Sequence, residues 1–60
     1  MLNWRFTEEI IPADGQQCLT YMKYGLLSGE YDAEANEFST YLGQEFTWYA
    51  TKWVPIEDAL

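Results

Sequence analysis

The sequence contains one cysteine and no histidine, so no disulfide can form within its 60 residues, and no cluster of metal ligands is evident. Below roughly 70–80 residues, a core without such support rarely supplies more than about 3–5 kcal/mol of net stability. The remaining sources of stability are large aromatic side chains and self-association. Three Trp, five Tyr and three Phe exceed what one small core needs. We therefore expect a single domain over residues 1–60 that forms a homo-oligomer or exposes an aromatic binding face.

The balance of acidic and basic residues limits the classes of partner that the protein can bind. Ten acidic residues against three basic ones give a net charge of −7. Only Arg5, Lys23 and Lys52 could neutralise phosphates, so direct binding to nucleic acid or to an acidic membrane is not expected. An apolar fraction of 48% argues against disorder. Residues 1–4 show neither the basic start nor the apolar stretch of a signal peptide, which favours a cytoplasmic protein.

Five short β-prone segments account for most of the chain. They are residues 3–6, 18–24, 26–31, 38–42 and 46–54. No apolar period of 3.6 residues persists for three turns, so a helical fold is not expected. The spacing predicts a mainly β protein, a small antiparallel meander of about five strands, curled into a half-barrel or packed through an oligomer.

Glycine and proline mark the boundaries of these segments. Pro12–Gly15 has the residue order of a type I turn, and residues 32–36 form a polar hairpin loop. Gly29 has no side chain, so a neighbouring aromatic ring can lie over its backbone. Pro55 is expected to end the last strand, and Trp53 to anchor it, with a frayed acidic tail at residues 56–60.

Several landmarks occur in an order that resembles a family of small phage, prophage and bacterial domains of unknown function. They are Trp4, Pro12–Tyr21, Gly29–Tyr31, Phe38 and Thr51–Ile56. Members typically carry a leading Trp, a Pro-x-Asp/Glu-Gly turn, and a closing Thr-His-Trp-Met-Pro-Leu motif. Here Lys52 replaces the histidine, and an acidic tail replaces a proline-rich one. The resemblance implies a small β fold and a mobile-element setting, and it implies no activity.

Catalytic chemistry is poorly represented. The commonest general base near neutral pH is missing because histidine is absent. Cys18 has no histidine partner and lies in an apolar strand, so we expect a buried, unreactive thiol. Residues 32–36 resemble the start of a calcium loop, but Glu37 replaces the glycine at position six and Gly43 replaces the glutamate at position twelve. The sequence predicts a protein that is not an enzyme and uses no metal or cofactor.

Acidic residues cluster in two loops, where binding residues usually occur. Solubility alone is one explanation. The alternative is that these carboxylates complement a basic surface on a partner, with aromatic side chains as anchors. The partner-binding candidates are Glu8, Glu9, Asp14, Asp32, Glu34 and Glu37, with Tyr31 and Trp48 as the anchors.

The leading hypothesis is therefore a phage- or prophage-type protein-binding module. Its partner would be a host protein with a basic surface, such as a defence enzyme or an enzyme that handles nucleic acid, which the module would inhibit. A second hypothesis is a homo-oligomer that sequesters a small ligand between aromatic side chains. A structural accessory protein is the third.

Overall fold

A computed structural model describes residues 2–40 and 46–60 of the chain. These residues form six strands and one short helix. The elements are β1 (Arg5–Phe6), β2 (Gln17–Met22), β3 (Gly25–Asp32), β4 (Glu37–Ser39), β5 (Thr47–Trp48), β6 (Lys52–Pro55) and a 3₁₀ helix (Ile56–Ala59). All strand pairs are antiparallel, and the strand order is β1-β6-β2-β3-β4-β5. The predicted mainly β, antiparallel architecture is confirmed.

The sheet is strongly curled, because β5 and β6 are consecutive in the chain but lie on opposite sides of the β2–β3–β4 unit. In a flat sheet they would be four strand spacings apart, or about 19 Å. The four Cα steps from Trp48 to Lys52 span at most about 14 Å. The linking residues are held by Thr7, whose hydroxyl donates to the Ala50 carbonyl at 2.7 Å and whose amide donates to the Thr51 carbonyl at 2.9 Å.

The curl encloses a core made by the inner face of the sheet. Side chains alternate between the two faces of a strand, and most of the buried strand positions are inward ones. The buried inward residues are Cys18, Thr20, Gly29, Tyr31, Phe38, Trp48, Trp53 and Pro55. Val54, at an outward position of β6, is also fully buried. Across this core the Trp48 indole donates to the Thr20 hydroxyl at 3.0 Å, and that hydroxyl donates in turn to the Leu27 carbonyl. Every buried side-chain nitrogen and oxygen atom of the described residues has a hydrogen-bond partner.

Two predicted core features are confirmed. Trp53 is 2% exposed, and its indole donates to the Ile10 carbonyl at 2.8 Å. Gly29 lies directly under the Trp48 ring, since a Cβ placed at this glycine would be 2.5 Å from the ring. The predicted polar hairpin loop also occurs, as a turn at residues 33–36 between β3 and β4.

Other boundaries differ from the prediction. The single strand predicted at residues 46–54 is two strands, because the chain leaves β4 after Trp48 and crosses to the other side of the sheet. Pro55 is the last residue of β6, so the strand ends at the predicted proline but includes it. Residues 56–59 are a 3₁₀ helix rather than a frayed tail. The first turn is one residue later than predicted: the Gln16 amide donates to the Ala13 carbonyl. The predicted strand end at residues 41–42 lies outside the described residues.

Candidate functional site

The outer face of the sheet carries two different surfaces, both of which include residues of β3. Leu26 and Ser28 occupy outward positions in the first half of the strand, and Glu30 and Asp32 occupy them in the second half. Strands β1, β6 and β2 extend the first surface, and β4 and β5 extend the second. The second surface contains three of the six acidic residues predicted as binding candidates, Asp14, Asp32 and Glu37.

An acidic cleft of about 250 Å³ lies on this second surface. Its lining includes four carboxylate side chains and, within the described part of the chain, no basic one. The lining residues are Asp14, Gly15, Glu30, Tyr31, Asp32, Glu37, Ser39 and Thr47. We use the name acidic cleft for this set.

The loop before β2 is fixed against the end of β3, and this brings Asp14 to the cleft. The Gly15 amide donates to the Tyr31 carbonyl at 2.8 Å, and the Tyr31 amide donates to the Gln16 carbonyl at 3.0 Å. Gly15 has a φ of +81°, which L residues with a side chain rarely adopt and which suits the third position of a type II turn. The Asp14 carboxylate then accepts from the Ala33 amide at 3.0 Å.

Two of the four carboxylates face each other directly. Asp32 of β3 and Glu37 of β4 are paired in register. Like charges at such positions destabilise an antiparallel pair. Asp32 is needed there, because its carboxylate accepts from the Glu34 amide at 3.0 Å and from the Ala35 amide at 3.3 Å, which shapes the hairpin turn. Within residues 2–40 and 46–60 no hydrogen bond to the Glu37 carboxylate corresponds to these, so its charge opposes the pairing without shaping the turn.

The other predicted acidic residues are placed differently. Glu8 and Glu9 are exposed in the turn that follows β1, and Glu34 is exposed in the β3–β4 turn. None of the three lines the cleft. Glu30 does line it, although the sequence analysis did not select it. The alternation of side chains along β3 could have identified Glu30. It is two residues from Asp32, so both side chains lie on the same face of the strand.

The two aromatic residues predicted as partner-binding anchors belong to the core. Tyr31 is 2% exposed and Trp48 is 7% exposed. Tyr31 packs edge-on against Phe38, and its hydroxyl is hydrogen-bonded to the Asn36 side chain. Burial, with smaller contributions from Tyr49 and Asp32, raises the pKa of the Tyr31 hydroxyl. These side chains therefore belong to the core beneath the cleft and are not available as surface anchors.

Cys18 lies on the inner face of β2, between β6 and β3. It is fully buried, as predicted. Burial raises the pKa of the Cys18 thiol from 9.0 to about 11, with a further increase from Glu57 and a partial opposing effect of Arg5. Only a thiolate acts as a nucleophile. This thiol is therefore protonated at neutral pH and is not a catalytic candidate.

Two further searches concern the described residues alone. Within residues 2–40 and 46–60, no three cysteine or carboxylate side chains are grouped so that they could hold a metal ion. The helix in this part of the chain is too short and too polar to cross a membrane.

Comparison with protein-family models, with curated proteins and with solved structures finds no match to this chain. The resemblance to the phage and prophage family therefore stays a prediction.

Proposed function

We propose that this protein is a protein-binding module whose acidic cleft receives a basic segment of its partner. The observation that carries this proposal is the grouping of Asp14, Glu30, Asp32 and Glu37 around one concavity whose described lining has no basic residue. Their negative potentials add, and a concave surface concentrates the field.

The directly opposed pair of Asp32 and Glu37 supports a binding role over solubility alone. Solubility requires net charge but no particular placement. A carboxylate at position 37 opposite another carboxylate lowers the stability of the β3–β4 pair. Retaining a destabilising charge is typical of a surface whose charge is used for recognition.

The size of the cleft favours a protein side chain over a small-molecule ligand. Ligand pockets usually measure about 300–1,000 Å³ and are mostly apolar. The acidic cleft measures about 250 Å³, and four of its eight lining residues are acidic. Lysine or arginine side chains of a partner match this space and charge. The ligand-sequestering alternative has less support from the geometry.

We also propose a biological setting and a class of partner. In a phage or prophage setting, which the sequence resemblance implies, the partner would be a cytoplasmic host protein. Enzymes that grip nucleic acid have basic grooves, and a cleft of carboxylates offers such a groove the charge that a phosphate backbone otherwise supplies. Inhibition would then be competitive with nucleic acid.

The test measures binding kinetics of an immobilised lysine- and arginine-rich peptide. Replacing two cleft carboxylates, Glu30→Gln with Glu37→Gln, is expected to lower the association rate by about tenfold at low salt, because steering acts mainly on this rate. The matched control is Glu8→Gln with Glu9→Gln, which removes the same charge outside the cleft. We expect the control to change the rate by less than about threefold.

Equal effects of the two double variants would contradict the proposal, since binding would then follow net charge alone. The wild-type rate should also fall when salt is raised to about 1 M, where the Debye length is about 3 Å.

A further inference from the structure

The first surface of the outer face is an exposed aromatic patch. In register across four strands lie Phe6 of β1, Lys52 of β6, Tyr21 of β2 and Leu26 of β3. Phe6, Tyr21 and Leu26 are 51%, 49% and 54% exposed. Side chains of this size are normally exposed singly on a soluble monomer, whereas contiguous ones mark an interaction site.

Neighbouring residues extend this row in two directions. Trp4 packs edge-on against Tyr21, with ring centroids 5.6 Å apart. Tyr24, which is 92% exposed, lines an apolar groove of about 200 Å³ together with Leu26 and residues around the β2–β3 turn. We define the aromatic patch by the residues Trp4, Phe6, Tyr21, Tyr24, Leu26 and Lys52.

The patch has a different charge from the rest of the molecule. The charged side chain among the six patch residues is Lys52. Its ammonium lies 5.6 Å from the centre of the Phe6 ring and 5.1 Å from the centre of the Tyr21 ring. Lys23 stands beside it, 5.5 Å from the Tyr24 ring. In the next outward row Val54 is fully buried, and its neighbours Leu19 and Ser28 carry no acidic group. Among the described strand residues, the first carboxylate on this face is that of Glu30, in the row beyond, and Glu8 and Glu9 are exposed in the turn after Phe6.

We propose that the aromatic patch is a two-fold interface between copies of this chain. Two molecules of net charge −7 repel each other in most orientations. Face-to-face contact of the two patches keeps the carboxylates of both copies at the periphery. It also gives each lysine additional aromatic faces, since rings outnumber the cations in the patch.

The area of the patch sets the expected strength. An aromatic side chain buries about 150–250 Å² when packed, so the exposed fractions of the rings and Leu26 sum to on the order of 450 Å² per copy. That is less than the roughly 800 Å² per partner of a standard stable interface. The dimer is therefore a weak one, with a dissociation constant of micromolar order. This inference is independent of the partner proposed for the acidic cleft.

Sedimentation velocity over a concentration series from low to high micromolar tests the interface. We expect a reversible shift from the 7.0 kDa monomer to a species of twice that mass. Raising the salt from about 0.1 to 1 M should strengthen the dimer, because screening removes repulsion between the acidic copies. Salt is expected to weaken peptide binding by the cleft, so the two proposals have opposite signatures.

A pair of matched variants locates the interface. Leu26→Glu introduces a carboxylate into the patch and should raise the dimer dissociation constant by at least about tenfold. Ile11→Glu makes the same kind of change at a residue that is 60% exposed outside the patch, and should leave the constant within about threefold. Tyr24→Ala, at a turn position, should weaken the dimer without affecting the fold.

Circular dichroism establishes that each variant is folded before sedimentation. A wild-type protein that stays monomeric at all concentrations and both salt levels would overturn the proposal. So would a dimer that Leu26→Glu leaves intact, or an assembly larger than two copies.

Discussion

The two surfaces of the outer face share β3 and one curled sheet, but they differ in charge and in how they are supported. The aromatic patch lies over β1, β6, β2 and the first half of β3, and Trp53 is the large core residue beneath it. The acidic cleft lies over the second half of β3 with β4 and β5, above Phe38 and Trp48. Under the two proposals, the apolar surface would serve self-association and the acidic surface would serve recognition, so a 60-residue chain would keep the two apart.

The large core residues beneath the two surfaces also differ in their position in the sheet. Trp53 belongs to β6, which has a neighbouring strand on both sides, whereas Trp48 belongs to β5 at the sheet edge. Trp48 is held instead by ring stacking with Phe38 at 6.1 Å and by its hydrogen bond to Thr20. Trp48 therefore depends more on side-chain packing than Trp53, which lies in a strand that is paired on both sides.

The largest expected effect comes from removing the support of the aromatic patch. Trp53→Ala should lower the free energy of unfolding by about 3–5 kcal/mol, because the ring is buried and its indole N–H is hydrogen-bonded. Urea denaturation monitored by circular dichroism measures this loss. Trp4→Ala, at a half-buried position, is the control and should cost about half as much. Equal losses would show that Trp53 is not the principal support.

The second effect concerns the support of the acidic cleft. Gly29→Ala should destabilise the protein by about 1–3 kcal/mol, because the new Cβ would be 2.5 Å from the Trp48 ring and 2.8 Å from the Ser39 carbonyl oxygen. Thermal unfolding compares this variant with Ser28→Ala, an exposed neighbour in the same strand. If both variants melt with the wild type, the close approach of Trp48 to β3 is not needed for the fold.

The sequence predicts many of the core residues beneath the two surfaces, but it does not predict every residue of the cleft. Alternation in β3 placed Leu27, Gly29 and Tyr31 in one phase, and that phase is the buried one. The same alternation argues against Tyr31 as a surface anchor and in favour of Glu30 as a cleft residue. Residue phase is a local property, and a short stretch of sequence is sufficient to define it.

The crossing from β5 to β6 could not be predicted in this way. Residues 46–54 have continuous β propensity, so the sequence pattern predicts one strand over this range. The break between the strands depends on Thr7, which bonds to Ala50 across a separation of 43 residues. Such a long-range contact leaves no local pattern, and the same is true of the pairing of β6 with β1 and β2, which sets the strand order and the position of the aromatic patch.

A third prediction concerns Cys18, which lies beneath the boundary between the two surfaces. Its thiol has a pKa of about 11 in the folded protein against 9.0 for an exposed thiol. A raised folded-state pKa gives stability that is complete below pH 9 and is lost as the pH rises toward 11. The loss should be on the order of 1–3 kcal/mol by pH 11.

Urea denaturation between pH 8 and pH 11 measures this loss. Cys18→Ala is the reference, because it retains the ionisation of every tyrosine, including the raised pKa of Tyr31. The wild type should lose stability more steeply with pH than this variant. Parallel curves would show that the thiol does not titrate with unfolding.

The smallest expected effect is a stabilisation. Glu37→Gln removes one charge of the directly opposed pair with Asp32, and should raise the free energy of unfolding by about 0.2–1 kcal/mol. Glu34→Gln removes an equal charge from the neighbouring turn, where the side chain is exposed, and should have less effect. A loss of stability in Glu37→Gln would mean that this carboxylate serves the fold rather than recognition.

The most direct test of the division between the two surfaces is an NMR titration of the wild-type protein with a lysine- and arginine-rich peptide. We expect amide shift changes at Gly15, Glu30, Asp32, Glu37 and Thr47. Phe6, Tyr21 and Leu26 should be unaffected at a protein concentration where the chain is monomeric. Shift changes centred on Phe6, Tyr21 and Leu26, or a uniform response over both surfaces, would contradict this division.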